Sequence, residues 1–345
     1  MHRIFLHFGP IDGFLAAMTI MKTPSADSIA EAADIIRGGG IVAFPTETVY
    51  GLGANALDGV AVAKIFAAKN RPAINPIIVH VANRNEAEKY VEADARAKGL
   101  MATFWPGPLT LILPRKKDGG IADIVSAGLE TIGIRMPSHP VALKLLEAAK
   151  LPIAAPSANA SGEPSATTPR HVQESLGGNA PFILAGGACT VGLESTVLDL
   201  SGDVPVIVRP GAVTAEDLES FLGKVEYDFG SKEAPKSPGQ LLKHYAPSIP
   251  LRLNAVDVEE GEALLAFGPT KFMGLKTGGF AKDLPESMFR NLSDRGDLHE
   301  AAANLFTMLR DLDNGTNTRI AVMNIPDRGL GIAINERLSR AAQGR

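Results

Sequence analysis

The chain has 345 residues, of which 45% are hydrophobic and 21% charged, and its formal net charge is −4. A chain of this length is too long for one ordinary hydrophobic core and suits two domains. The mild negative charge excludes general binding of nucleic acid, so any contact with a polyanion needs a local basic cluster. A single cysteine, Cys189, excludes an intramolecular disulfide and a cysteine-rich zinc site, and it favours a reducing compartment such as the cytoplasm.

The first 20 residues are apolar enough to resemble a signal peptide. Their positive region is thin, however, and Pro10 and Asp12 interrupt the apolar run, so the stretch fits neither a signal peptide nor a membrane span. We expect either that this stretch is a disordered extension or that the true start codon is that of Met18 or Met21, downstream of Met1. No association with a membrane is predicted.

Hydrophobic periodicity predicts mixed strands and helices up to Phe221. Ser25 is the expected N-cap of a first helix that ends at the glycines 38–40. Further helices are predicted over 60–68 and near Ala97, Leu145, Val172 and Leu218. Strands are predicted over 41–44, 77–81, 109–113, 132–135, 153–155, 182–184, 196–200 and 206–208. Because strands and helices do not alternate strictly, one mixed, twisted sheet in an α/β domain fits better than a doubly wound fold.

The composition changes after Phe221. Residues 231–250 contain four prolines and few large apolar residues, which indicates an extended, semi-rigid linker. Strands predicted over 251–253, 264–267 and 319–323, with helices over 299–312 and 333–342, make a second and smaller α/β domain. We therefore expect an extension over 1–20, a first domain over 21–222, a linker over 223–250 and a C-terminal domain over 251–345.

Several nucleotide-binding and catalytic motifs are absent from the sequence. No Gly-Lys-Ser or Gly-Lys-Thr occurs, so there is no Walker A motif. Nothing resembles a Ser-His-Asp triad or a cluster of metal ligands. Covalent catalysis and a resident metal are therefore not indicated.

Polar residues crowd the segment 44–53, at the end of a predicted strand. It contains two threonines, a glutamate and a tyrosine, and Gly51 and Gly53 would let the backbone approach a ligand closely. Loops at strand ends are where α/β proteins hold ligands. The alternative is a turn in which the threonine hydroxyls satisfy local backbone groups.

Two cations, Lys69 and Arg71, follow the second predicted helix. Pro72 disfavours helix at Arg71, so we expect an extended stretch in which residues two apart face the same side. Such a pair would form an anion site, although a solvated basic turn is the alternative. His80 lies in an apolar strand, where a histidine is more often hydrogen-bonded in the core than catalytic.

Ser157 and Asn159 are also two apart in an extended context and suit a phosphate, a ribose or an amino acid; turn chemistry is the alternative. Arg135 and Arg209 end predicted strands, where they would line the opening of one pocket together with Lys69 and Arg71. A cationic pocket with hydroxyls suits phosphoryl or nucleotidyl chemistry, which works mainly by positioning and charge neutralisation.

Together and in this order, five segments resemble the YrdC-like family of threonylcarbamoyl-AMP synthases. They are residues 45–53, 69–72, 75–80, 105–110 and 156–162. The segments 237–239 and 244–247, followed by an α/β domain, look like the two-domain branch of that family. The match runs from about Ser25 to the end of the chain.

The resemblance implies a YrdC-like mixed twisted sheet with a deep groove, a smaller C-terminal Rossmann-like α/β domain, and synthesis of threonylcarbamoyl-AMP from ATP, L-threonine and bicarbonate. The implied threonine contacts are Thr48 (or Thr46), His80, Arg135, Ala155 and Ser195. The implied ATP contacts are Arg71, Asn75, Thr131, Ser157, Ser165, Arg209 and Tyr245. The family signature, taken as catalytic, corresponds to Lys69, Arg71, Ser157 and Asn159.

ATP is expected as a substrate, with Mg²⁺ held mainly by its phosphates and no metal held by the protein alone. The resemblance further implies that a tRNA threonylcarbamoyl transferase complex receives the product and modifies ANN-decoding tRNA, with at most weak tRNA contact here. Two alternatives stay open. One is an RNA- or ribosome-binding module that uses the same basic groove, and the other is carbamoyl phosphate chemistry in hydrogenase maturation.

Overall fold

The computed structural model describes residues 19–72, 74–229, 244–271 and 273–344. Most of the expected N-terminal extension and the linker residues 230–243, including Ser237, lie outside these ranges. The α-helices are α1 (Ala26–Arg37), α2 (Gly59–Lys69), α3 (Arg84–Ala87), α4 (Ala95–Phe104), α5 (Asp123–Ser126), α6 (Pro140–Ala149), α7 (Pro169–Leu176), α8 (Ala215–Leu222), α9 (Leu298–Leu312) and α10 (Leu330–Ala341).

The strands of the first domain are β1 (Ile20–Lys22), β2 (Val42–Phe44), β3 (Gly51–Asn55), β4 (Val79–His80), β5 (Leu109–Pro114), β6 (Thr131–Arg135), β7 (Ile153–Ala154), β8 (Phe182–Leu184), β9 (Thr196–Asp199), β10 (Val206–Arg209) and β11 (Glu226–Tyr227). Those of the second are β12 (Leu251–Arg252), β13 (Asp257–Val258), β14 (Glu262–Ala266), β15 (Gly274–Leu275), β16 (Phe289–Asn291) and β17 (Arg319–Val322).

The described part of the first domain forms one 11-stranded sheet with the order β1-β8-β2-β3-β7-β4-β6-β5-β9-β10-β11. Neighbours such as β2 and β3 or β5 and β6 are antiparallel, whereas β4 and β6 or β5 and β9 are parallel. The expected mixed sheet is therefore confirmed. The polar segment 44–53 begins at the last residue of β2, and the polar segment 156–162 follows β7.

Helices cover both faces of this sheet. On one face, α1 and α6 pack through apolar residues such as Ile36 and Leu145 against Phe44 of β2. On the other face, α2, α4 and α7 pack against the larger core. Ser25 caps α1 as predicted, because its hydroxyl accepts a hydrogen bond from the backbone N–H of Ser28 in a capping box.

The C-terminal domain has a four-stranded parallel sheet in the order β12-β17-β14-β16, with α9 and α10 packed against it. This is the smaller Rossmann-like α/β domain that was expected. Its core continues into the first domain, because Val49 and Leu193 belong to the same buried apolar cluster. None of the described helices is long and apolar enough to cross a membrane.

Three local predictions differ from the structure. The segment 44–53 was predicted as a loop, but β3 begins at Gly51, and a β-carbon on Gly53 would lie 2.7 Å from the Phe44 ring. These glycines therefore serve close strand packing, a role that strand propensity does not reveal. The first domain begins within the expected extension, since Ile20 already pairs with Phe182. Lys69 is helical rather than extended, and Asn70 ends α2 in the left-handed conformation.

Candidate active site

A cavity of about 40 Å³ lies where loops and strand ends of the large sheet meet. Its wall includes every residue of the expected threonine set, namely Thr48, His80, Arg135, Ala155 and Ser195. Of the expected ATP set, it includes Arg71, Ser157, Arg209 and Tyr245. Segments up to about 200 residues apart are thus brought to one place, where three of the four expected cations, Arg71, Arg135 and Arg209, line the cavity.

Arg135, at the end of β6, is held by its neighbours in a fixed orientation. Its Nη2 donates to Oε1 of Glu47 at 2.8 Å, and its Nη1 donates to the Thr48 hydroxyl at 3.0 Å. The other Glu47 oxygen accepts the backbone N–H of Ser138. The Arg135 Nε has no hydrogen-bond partner among the described residues. A buried guanidinium is therefore oriented with its Nε–H left without a partner, which suits recognition of an anion.

The two threonines near Arg135 differ in their surroundings. Thr46 donates to the backbone carbonyl of Val49 at 2.6 Å, so its hydroxyl closes a turn. This matches the alternative interpretation of the segment, in which threonine hydroxyls satisfy local backbone groups. Thr48 accepts from Arg135 and contacts the Thr46 hydroxyl at 2.8 Å. Both line the cavity, and Thr48 is the one whose hydroxyl lies beside the guanidinium.

Arg71 enters the cavity from the end of α2. Its Nη2 donates to the Pro76 carbonyl at 2.9 Å and its Nε to the Asn75 carbonyl at 3.3 Å. Burial lowers the pKa of Arg71 to about 9, so the side chain stays charged at neutral pH. The Asn75 side chain itself does not line the cavity, but it is buried and both of its polar atoms lack partners among the described residues.

The contacts of the Lys69 amine differ from those expected. Its amine donates to the backbone carbonyls of Ser157, at 2.5 Å, and Asn159, and it does not line the cavity. Burial first, and then the charge of Arg71, lower the pKa of Lys69 well below its usual range. The two cations are thus neighbours, but Lys69 is directed toward the segment 157–159 while Arg71 faces the cavity.

Arg209, at the end of β10, bonds to the start of β9. Its Nε and Nη2 donate to the Ser195 carbonyl at 3.1 and 3.0 Å, and Nη2 also reaches the Ser195 hydroxyl at 3.1 Å. That hydroxyl lies 2.7 Å from the hydroxyl of Thr110. Ser195 is consequently fixed by two strands, with Arg209 beside it in the cavity wall.

Three further predicted residues lie outside the cavity wall. Thr131 begins β6 and Arg135 ends it, so about 13 Å of extended chain separates the two. Asn159 uses its amide to bond the carbonyls of Ala160 and Glu163. The hydroxyl of Ser165 donates to Glu194, which does line the cavity.

Glu194 is a cavity residue that sequence reasoning did not select. Its second oxygen accepts from Arg337, a fully buried residue of α10, at 3.1 Å. The only local signal was its position next to Ser195 at the start of a predicted strand. Arg337 gave none, because a charged residue in an amphipathic helix normally faces water.

Two histidines of the cavity wall, His80 and His244, are buried. We therefore expect the stability of the fold to decrease at acidic pH. Burial lowers the pKa of each to about 3, helped by Arg135 for His80 and by Arg71 for His244. The folded-state pKa of each histidine lies below its unfolded value near 6.5. The stability that comes from keeping these histidines neutral is therefore fully present above pH 6.5 and is lost progressively as the pH falls below it. We expect each histidine to cost about 1.4 kcal/mol per pH unit between those values.

Urea unfolding of the wild type, His80→Asn and His244→Asn at pH 7.5, 6 and 5 measures this effect. Each variant is expected to lose less stability on acidification than the wild type. Equal losses in all three proteins would contradict the assignment of buried, neutral histidines.

Comparison with known proteins places these observations in one family. A family model described as "Telomere recombination", which covers Sua5, YciO and YrdC proteins, matches residues 34–211. A second, described as "Threonylcarbamoyl-AMP synthase, C-terminal domain", matches residues 213–343. The threonylcarbamoyl-AMP synthase of Bacillus subtilis is 44% identical over 324 residues, which are 92% of this chain and 93% of that protein.

The threonylcarbamoyl-AMP synthase of Pyrococcus abyssi is 42% identical over 328 residues, covering 90% of this chain and 93% of that protein. The crystal structure of P. abyssi Sua5 complexed with L-threonine superposes with a TM-score of 0.83 at 37% identity, covering 94% of this chain and 97% of that one. The fold, the cavity and these relatives together define a two-domain α/β enzyme of the nucleotidyltransferase type. The chain belongs to the threonylcarbamoyl-AMP synthase family.

Proposed function

We propose that the chain joins L-threonine, bicarbonate or CO₂, and ATP into threonylcarbamoyl-AMP, with release of pyrophosphate. The observation that carries this proposal is that Arg71, Arg135 and Arg209, all buried, line one cavity together with hydroxyl side chains. Buried cations are costly unless something anionic meets them, and ATP, the threonine carboxylate and the carbamate formed here are anionic. The family to which the chain belongs supports the same reaction.

On the threonine side, the proposed contacts are Thr48, His80, Arg135, Ala155 and Ser195. The free Nε–H of Arg135 suits the threonine carboxylate, since Glu47 already orients the rest of the guanidinium. The relative from P. abyssi was solved with L-threonine bound, which supports a threonine pocket in this fold.

On the nucleotide side, Arg71 and Arg209 are proposed to contact the phosphates, with Ser157 and Tyr245 beside them. Asn75, Thr131 and Ser165 stay proposals as further ATP contacts, and Lys69 and Asn159 act through the segment 157–159. The threonine amine takes up CO₂ as a carbamate, whose oxygen attacks the α-phosphorus while the bond to pyrophosphate breaks. The arginines offset the repulsion between these anions.

Mg²⁺ is proposed to arrive as part of the ATP substrate. The residues that the structure describes contain no group of three His, Cys, Asp or Glu side chains able to hold a metal. The phosphates are proposed to supply most of its ligands.

The cavity wall includes residues from the end of the linker. His244 and Tyr245, at the end of the linker, belong to that wall, and Tyr245 has a positive φ of 63°. We propose that these two residues act as a lid that admits ATP and then shields the reactive product from water.

The product is proposed to pass in the cytoplasm to a tRNA threonylcarbamoyl transferase complex. The decisive test of the function is mass spectrometry of a reaction with ATP, Mg²⁺, L-threonine and ¹³C-bicarbonate. We expect the label in a threonylcarbamoyl adduct of AMP and one pyrophosphate per adduct. Salt-sensitive tRNA binding without release of pyrophosphate would instead support an RNA-binding module.

A further inference from the structure

Arg337 links the C-terminal domain to the cavity. It lies on α10 and is among the largest side chains that are fully buried in the described part of the chain. Its Nε donates to Oε2 of Glu194 at 3.1 Å, its Nη1 donates to Oε2 of Glu336 at 2.7 Å, and its guanidinium lies 5.4 Å from the centre of the Tyr245 ring. Glu194 and Tyr245 line the cavity, whereas Glu336 belongs to α10. One side chain of the second domain therefore touches two parts of the proposed nucleotide site.

The backbone that carries Glu194 is also held by the C-terminal domain. Gly192 adopts a positive φ of 76°, and a β-carbon there would lie 2.5 Å from the carbonyl oxygen of Ala302 on α9. Leu193 is buried in the apolar core of the C-terminal domain. The position of the Glu194 carboxylate thus depends on domain contact through both its backbone and its side chain.

Glu194 is a negative charge in the wall of a cavity that gathers cations. Burial alone would raise its pKa, but Arg337 and Arg209 hold the pKa of this carboxyl below its usual value, so it is charged at neutral pH. Arg337 occupies one carboxylate oxygen and the Ser165 hydroxyl occupies the other. Without Arg337, the carboxylate would face an incoming polyanion with less compensation.

We propose that Arg337 is a positioning residue for the nucleotide, which neutralises and orients Glu194 so that the C-terminal domain sets the affinity of the site for ATP. This inference rests on the proposed function. A role in stability alone explains the arrangement less well, because buried ion pairs stabilise folds weakly. In addition, the Nη2 of this fully buried guanidinium has no hydrogen-bond partner among the described residues.

Calorimetric titration of the full-length chain with ATP and Mg²⁺ tests the proposal. Arg337→Met is expected to weaken ATP binding at least about tenfold, the scale of one unit charge partly screened by water. Glu194→Gln is expected to bind ATP more tightly than the wild type, since it removes a negative charge from the cavity wall while Arg337 keeps its ion pair with Glu336. The double variant is expected to return to within about threefold of the wild type, because it removes one negative and one positive charge together, while Glu336 keeps its ion pair with Arg340.

Arg319→Met is the matched control. It removes an arginine of the same domain whose ion-pair partners, Glu259 and Glu262, lie in the C-terminal domain and outside the cavity wall, and it is expected to leave ATP affinity unchanged. A purely structural ion pair would make Arg337→Met and Glu194→Gln both bind ATP more weakly. That outcome would overturn the proposal, as would an Arg337→Met variant of unchanged affinity.

If Arg337→Met fails to fold, Glu194→Gln decides alone, because weaker or unchanged ATP binding by that variant contradicts charge compensation. Because the titration measures ATP binding without turnover, its result distinguishes failure of this inference from failure of the proposed function. Unchanged affinities in variants of an ATP-binding wild type overturn this inference and leave the proposed function standing. A wild type that does not bind ATP overturns both.

Discussion

Arg71→Met is expected to lower the rate of pyrophosphate release by about 100- to 1,000-fold at saturating substrates, which is the usual cost of deleting one donor to a developing anion. Arg71 lines the cavity, is buried and keeps its charge at neutral pH. Methionine fills similar space but provides neither charge nor donors. The fold is expected to persist, because the lost hydrogen bonds to the Asn75 and Pro76 carbonyls cost about 1–3 kcal/mol.

Arg71→Lys separates charge from geometry in the same experiment. Lysine keeps a positive charge but loses the planar fork, so we expect an intermediate loss of about tenfold. Thermal unfolding followed by circular dichroism shows whether each variant is folded. Wild-type rates in a folded Arg71→Met protein would remove the anion-binding role of this residue.

Lys69→Met is expected to lower both stability and activity. The Lys69 amine donates to the carbonyls of Ser157 and Asn159, and the variant leaves two buried carbonyls without these donors. We expect a loss of about 2–4 kcal/mol in the free energy of unfolding. Product formation should fall about 10- to 100-fold, because a displaced Ser157 no longer positions the nucleotide.

Lys64→Met is the matched control for this variant. Lys64 lies on the same helix, is exposed, and donates to the Gly39 carbonyl at the surface. Its loss is expected to change stability by less than about 1 kcal/mol and to leave activity unchanged. If Lys69→Met kept full stability but lost ATP affinity, the lysine would act directly on the phosphates, as the sequence alone suggested.

Local patterns predicted most of the helices and strands because their causes are local. The apolar residues of α1 recur at helical spacing, and Ser25 caps its first turn. Strand β8 was predicted with its observed bounds, since a short β-branched and aromatic run is enough to indicate a buried strand. Strand β3 was missed, because its glycines are explained only by the Phe44 ring that packs against them.

The candidate site was predicted in part for the same reason. Cations at strand ends indicated one shared pocket, and the structure brings Arg71, Arg135 and Arg209 together there. The direction of a side chain at a helix end is not encoded locally. Pro72 correctly excluded helix at Arg71, but Lys69 remained helical and bonds to carbonyls nearly 90 residues away.

The sequence by itself determined the mixed α/β class, the second domain, and, through the order of its motifs, the family and its substrates. Only the tertiary structure decided which of those residues face the cavity and which support it from behind. It also showed that Glu194 faces the cavity and that Arg337, 143 residues further along the chain, compensates its charge. Periodicity records how each segment meets the core, whereas the pairing of buried charges depends on which segments the fold brings into contact.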